Sequence, residues 1–155
     1  MIKLVRVDHR LVHGQVAVSW FNSLDVNTIF VVNDDVAKDD FRKSAIRLAK
    51  PDNSKLVMKS VDDSIKAINS GVTDKYKILI VVESVADAFK LIEGTKSKIK
   101  SLNLGGTKPR PGTKNYSKTI NLTSEEADQL SKLEDSGVDV WIQQVPSDDR
   151  QKFNK

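Results

Sequence analysis

The chain contains no cysteine, which removes disulfides, thiol nucleophiles and thiolate metal sites from consideration. It has only two histidines, His9 and His13, too few for a dedicated zinc site. No apolar run is long enough to cross a bilayer, and no basic n-region precedes an apolar h-region at the start. A soluble intracellular protein is therefore expected. Aromatic residues make up 6% of the chain and are scattered, which argues against a stacking platform for single-stranded nucleic acid. The glycine signatures of nucleotide sites are missing too. No G-x-G-x-x-G occurs, and from Gly106 to Gly112 the spacing is one residue too long for a G-x-x-x-x-G-K-[ST] loop, with Thr113 in the lysine position.

What remains is an ordinary globular composition. The 155 residues are 39% hydrophobic and 30% charged, enough for one domain over residues 1–155 with its own core. Lys plus Arg number 25 against 21 Asp plus Glu, a net charge of +4. The charges are spread over many segments and read mainly as a solvated surface. The excess also suits an acidic partner or a phosphorylated group.

Strand and helix patterns alternate along the chain. The β-branched run Ile2, Leu4, Val5, Val7 predicts a strand, and Gln15 to Asn22 a short helix burying Val16, Ala17, Trp20 and Phe21. Thr28 to Val32 and Ile78 to Val82 are continuous apolar runs, as in strands covered on both faces. Between them a helix is expected with Phe41, Ala45, Leu48 and Ala49 inward and Arg42, Lys43 and Arg47 outward, stopped by Pro51. Leu56 to Met58 predicts a short strand, and Ser60 caps a helix that buries Val61, Ile65 and Ile68 and ends at Gly71. Ser84 caps a further helix, with Val85, Ala88, Phe89 and Ile92 inward and Gly94 closing it. Leu102 to Leu104 opens into the basic loop GGTKPRPGTK, and Tyr116 to Leu122 alternates like an edge strand. Thr123 and Glu126 form a capping box for a helix containing Ala127, Leu130 and Leu133; Val138 to Val145 is the last strand, before a polar tail. This alternation predicts a single three-layer α/β/α domain with a mainly parallel sheet of six or seven strands. Ligand chemistry in such sheets sits beyond the carboxyl ends of the strands. The loops Asp8–Gly14, Asn33–Asp35 and Gly105–Lys114 would share that edge.

The first loop carries the most chemistry. Its strand stops at Asp8, His9 and Arg10, and a helix starts just beyond His13 and Gly14. A neutral imidazole at such a turn has one nitrogen free to attack phosphorus. The amides of Gly14, Gln15 and Val16, with the helix dipole, would face the phosphoryl oxygens. Arg10 offers a planar cationic fork for two of them. Phosphoryl transfer needs mostly positioning and charge stabilisation, which these groups supply. The residues alone leave other readings open. His13 also fits an exposed turn without a role, Asp8 an Asx turn, and His9 a solvated loop position. Asp34 and Asp35 read as helix-capping acids or as the acidic pocket of a receiver-like signalling domain. The basic loop Lys108 to Lys114, with Arg110, reads as a cover for phosphate, a contact for an acidic partner or a solvated hairpin. A basic nucleic-acid-binding module is the remaining class, resting only on net charge.

The run R-V-D-H-R-L-V-H-G-Q-V, Arg6 to Val16, resembles the signature of the enzyme IIB component of the bacterial sugar phosphotransferase system (PTS), mannose/fructose/sorbose family. VVNDDVA after the second strand and NLGG, Asn103 to Gly106, resemble further family features. The resemblance implies a largely parallel sheet with helices on both sides. It implies that His13 is phosphorylated on Nδ1 by a histidine of enzyme IIA, and that a hexose of the mannose, fructose, sorbose or N-acetylgalactosamine class takes the group while entering through the membrane components IIC and IID. Arg10 then matches the arginine that stabilises the phosphoryl group, and Asp8 the first acidic position. Gly14 and Gln15 complete the expected phosphoryl-binding set. Position 9, often aspartate in the family, is His9 here, which removes a carboxylate from beside the phosphate. No metal, cofactor or nucleic acid is expected, and the location would be cytoplasmic, at the membrane permease.

Overall fold

The computed structural model describes residues 1–155. The chain runs β1 (Ile2–Asp8), α1 (Gly14–Ser23), β2 (Thr28–Val32), α2 (Asp34–Ala37), α3 (Asp40–Ala49), β3 (Lys55–Lys59), α4 (Val61–Ser70), β4 (Ile78–Val82) and α5 (Val85–Gly94). It continues through β5 (Ser101–Gly106), β6 (Lys114–Asn115), β7 (Asn121–Leu122), α6 (Ser124–Asp135), β8 (Asp139–Ile142) and β9 (Gln151–Lys152). Seven strands form one sheet in the order β3-β2-β4-β1-β5-β8-β9. All neighbours in it are parallel except β9, which runs antiparallel to β8. The predicted three-layer architecture is the one found.

The pleat sorts the side chains. Val5, Val7, Phe30, Ile80, Leu102 and Val140 face α4, α5 and α6 and join the larger core cluster. Leu4, Ile29, Val31, Leu79 and Trp141 face the other way, under α1, α2 and α3, and join the smaller one. Central strands buried on both faces account for the unbroken apolar runs at β2 and β4.

The predicted caps are in place. Ser60 accepts from the Asp63 N–H at 3.1 Å and Ser84 from the Asp87 N–H at 3.2 Å. Thr123 and Glu126 exchange the two bonds of a capping box. Gly94 is still helical, and a Cβ there would press on Ile65, so close packing explains that glycine better than chain termination.

Four expectations change. In α3, Phe41 and Leu48 are 84% and 90% exposed and Ala45 is also outside. The helix instead turns Ile46 into the smaller core, with Ala49 half-buried against it, because α3 lies over the β3 edge, where little core remains to cover. Tyr116 to Leu122 is not an edge strand. The chain folds back on itself, the Tyr116 N–H donating to the Ile120 carbonyl at 2.9 Å, and β6 pairs with β7 in a separate two-stranded sheet. The last parallel strand stops at Ile142, where the Gln143 side chain turns to donate to the Pro146 and Asp148 carbonyls. The polar tail then returns as β9 and buries Phe153. The short α2, capped by Asn33 on the Val36 N–H, carries no sequence period of its own.

Candidate functional site

Parallel register brings the three suspected loops to one edge: Val7 pairs with Val82, Val82 with Val32, and Asp8 with Gly106. The site is built where β1 ends. Arg6 is 3% exposed in mid-strand, on the pleat face that carries α1. Its guanidinium donates to the Asn103 side chain, to the Gln143 carbonyl at 3.1 Å and to Asp8 Oδ2 at 3.1 Å. It also lies 5.1 Å from the Trp20 ring centroid. Gly105 makes room for it, since a Cβ at that position would overlap the guanidinium.

Asp8 is 1% exposed and joins the predicted residues together. Its Oδ1 accepts from the Arg10 backbone N–H at 3.0 Å, with the Arg10 Nε at 3.7 Å. Its Oδ2 lies 3.1 Å from His13 Nε2. Burial pushes the Asp8 carboxyl up, but the Arg10 N–H, Arg6 and His13 together outweigh it and hold the group below the usual carboxylate range. Burial lowers Arg6, and the charge of Asp8 pulls the other way. An ionised carboxylate only accepts, so the proton belongs on His13 Nε2 and the lone pair on Nδ1.

The turn between Asp8 and His13 is held by Leu11. Its side chain is buried, its N–H donates to the Asp8 carbonyl at 2.9 Å, and its φ of 58° is left-handed. Such strain in a branched residue costs on the order of 1–3 kcal/mol and persists where packing imposes it. Gly14 follows with φ 47°, which glycine tolerates without that cost. His13 is the N-cap of α1 and makes no side-chain cap bond. The first amides of a helix lack intrahelical partners, so this end of α1 can receive an anion. Gln15 is exposed and Arg10 presents 48% of its side chain to solvent.

The other suspected residues are placed differently. His9 Nδ1 is buried without a hydrogen-bond partner and stands 4.0 Å from Asp8 Oδ1. His9, Ser84, Thr107 and Lys108 line a cleft of about 190 Å³ that includes neither His13 nor Arg10. In the basic loop, Arg110 is engaged by Glu126 Oε1 at 2.7 Å, which ties the loop to α6. Asp34 and Asp35 sit in the first turn of α2, exposed, and Asp34 Oδ1 accepts from the Val61 N–H at 2.9 Å. Asp34 thereby caps the start of α4, and both acids lie beside Glu83 and Asp87. Burial, with Asp34 and Glu83 nearby, pushes the Asp87 carboxyl up.

Sequence reasoning assigned no role to Arg6 or Asn103. The signal for both was a polar residue inside an otherwise apolar, doubly covered parallel strand, which requires a buried partner.

The chain is similar to known proteins along its whole length. The fructose-specific EIIB component of Bacillus subtilis is 32% identical over 98% of this chain and 93% of its own. The crystal structure of the N-acetylgalactosamine-specific IIB component 1 of Escherichia coli superimposes with a TM-score of 0.92 at 28% identity, covering 99% of this chain and 100% of that one. The mannose-specific EIIAB component of Escherichia coli K12 is 29% identical over 99% of this chain, which spans only 47% of it. The family model described as PTS system sorbose subfamily IIB component matches residues 2–155. The hydrogen-bonded Arg6–Asp8–His13 chain at the carboxyl end of β1 therefore sits in a phosphotransferase component of sugar uptake: the chain belongs to the sorbose-subfamily IIB components of the PTS.

Proposed function

We propose that the protein carries a phosphoryl group on His13 Nδ1, received from a phosphohistidine of enzyme IIA and passed to a hydroxyl of an incoming hexose. The observation that carries this reading is the 3.1 Å contact between Asp8 Oδ2 and His13 Nε2, which leaves Nδ1 as the free nucleophile. In the first transfer Nδ1 attacks phosphorus, the P–N bond of the donor breaks, and the donor imidazole leaves. Positive charge that develops on the His13 ring is met by the ionised Asp8, which keeps the proton on Nε2 throughout. In the second transfer the sugar oxygen attacks, the P–Nδ1 bond breaks, and the hydroxyl proton is released.

Arg10 and the amides of Gly14 and Gln15 hold the phosphoryl oxygens while charge spreads over them. Arg6 does not reach that group; it fixes Asp8. The sugar belongs to the mannose, fructose, sorbose or N-acetylgalactosamine class, with transfer at the cytoplasmic side of the IIC and IID permease. No helix of this chain is long and apolar enough to cross the membrane.

The test is phosphate transfer from phosphoenolpyruvate through the general carriers and the cognate IIA. The wild-type chain is expected to take one acid-labile phosphate and His13→Ala none. Label that survives acid but not hydroxylamine would mean an acyl phosphate and overturn the assignment.

A further inference from the structure

One side chain does most to fasten α1 to the body of the fold. Trp20 is the buried residue of that helix, while Val16, Ala17 and Phe21 are only partly buried. Its indole N–H donates to the Gln144 carbonyl at 2.9 Å, and its ring centroid stands 5.1 Å from the Arg6 guanidinium. The preceding carbonyl, that of Gln143, accepts from Arg6 at 3.1 Å and from the Asn103 side-chain amide at 3.0 Å. Two consecutive carbonyls just beyond β8 therefore hold the helix and the guanidinium side by side.

These attachments lead to the two halves of the phosphoryl site. Arg6 donates to Asp8 Oδ2, the oxygen that also lies 3.1 Å from His13 Nε2, so its place governs the orientation of the imidazole. α1 starts at Gly14, directly after His13, so its place governs where the first amides of the helix stand. That end has no side-chain cap of its own, since His13 makes no cap bond. Its position therefore depends on packing further along, and Trp20 supplies it about 9 Å down the helix from Gly14.

We propose that Trp20 is a positioning residue for phosphoryl transfer, holding the amide end of α1 in register with the imidazole that Asp8 orients. The proposal rests on the reading of His13 as the carrier. Trp20 itself meets neither the phosphoryl group nor a partner; it acts through Arg6 and through the helix. An indole suits this task because it joins an N–H donor to an electron-rich face that can meet a desolvated guanidinium. Phenylalanine would keep the face and lose the donor, and leucine would lose both. A displacement of about 1 Å in a reacting group can slow a reaction by about 10²-fold, so a slight turn of α1 about its lost anchor is enough to register in the rate.

Rates of phosphate transfer from phospho-IIA to the full-length chain test the proposal, at a temperature where circular dichroism shows each variant folded. Trp20→Phe should lower kcat by about tenfold with KM for phospho-IIA unchanged, and Trp20→Leu by about 10²-fold. Phe21→Leu trims the packing of the same helix but leaves the Gln144 bond and the Arg6 stack, and should keep the wild-type kcat. A role confined to core packing gives a different pattern, in which all three variants melt earlier and none changes kcat; that result would overturn the proposal. A second readout needs no variant. The Trp20 indole ¹H–¹⁵N signal should shift when His13 is phosphorylated, because Arg6 joins the indole to Asp8 and Asp8 to the ring. An unmoved Trp20 signal in protein that carries phosphate on His13 would also overturn the proposal. Wild type that takes no phosphate at all would overturn the carrier reading and this proposal with it, an outcome seen before any variant is compared.

Discussion

At the end of β1 one aspartate is surrounded by donors, whereas at the ends of β2 and β4 several carboxylates are gathered with few. Asp8 accepts from Arg6, from the Arg10 backbone and from His13. Across the same edge, Asp34, Asp35, Glu83 and Asp87 line a shared hollow, and Arg42 is the cation nearest to Glu83, at 3.8 Å. Burial pushes both Asp8 and Asp87 toward the neutral form. Donors reverse it at Asp8, while Asp34 and Glu83 reinforce it at Asp87. Residue type alone therefore says little about an anion site. A carboxylate neutralised in advance can stand beside a phosphoryl group, and an unneutralised cluster repels one.

Substitutions can break that contrast, and the largest effect is at His13. His13→Ala should abolish phosphate incorporation, while Asp34→Asn and Asp35→Asn should leave it near wild type, read by phosphate label on the intact protein. Next comes Arg6→Met, which leaves Asp8 buried without its guanidinium. Breaking a buried pair costs about 3–5 kcal/mol, measurable as a fall in the urea midpoint at unchanged m-value. Arg10→Ala should fold normally, since half of its side chain is in solvent, yet transfer phosphate about 10²-fold more slowly, as loss of one charge-stabilising donor does.

The pH dependence separates the two rims by sign. Asp8 titrates lower in the folded than in the unfolded chain, so its stabilisation is complete above the ordinary carboxylate range. It drains away as pH falls through the lowered value. Asp87 titrates higher when folded, so its contribution is complete at low pH and is lost as pH rises through the raised value. Thermal melts from about pH 7 to pH 3 should therefore lose part of their acid limb in Asp8→Asn, and show a steeper one in Asp87→Asn. Smallest of all is Arg42→Ala, which removes a half-exposed pair with Glu83. Such pairs contribute about 0–1 kcal/mol.

The sheet was legible because its strands are buried on both faces and its helices are capped by side chains. Thr28–Val32 and Ile78–Val82 could only be central strands, and Ser60, Ser84 and Thr123 mark helix starts by their chemistry. Reading failed where tertiary position overrides local pattern. α3 has an apolar stripe that a periodicity argument turns inward, but it lies over an edge strand and turns Ile46 in instead. Tyr116, Ile120 and Leu122 alternate because a small hairpin packs on the core, not because they join the sheet. At the site, His13, Arg10 and Asp8 were visible as a charged break between strand and helix. Arg6 was hidden as a polar letter in a largely apolar run, and its partners Asn103 and Gln143 lie 97 and 137 residues away. Such distant pairings are fixed by the register of β1 with β5 and are invisible to spacing.

The account stands on which ring nitrogen takes the phosphate. Long-range correlation of ¹⁵N, ¹H and ³¹P on the singly phosphorylated protein reads this directly. The prediction is ³¹P coupled to His13 Nδ1, with a protonated Nε2 held by Asp8. Phosphorus on Nε2, or on any carboxylate, would contradict it.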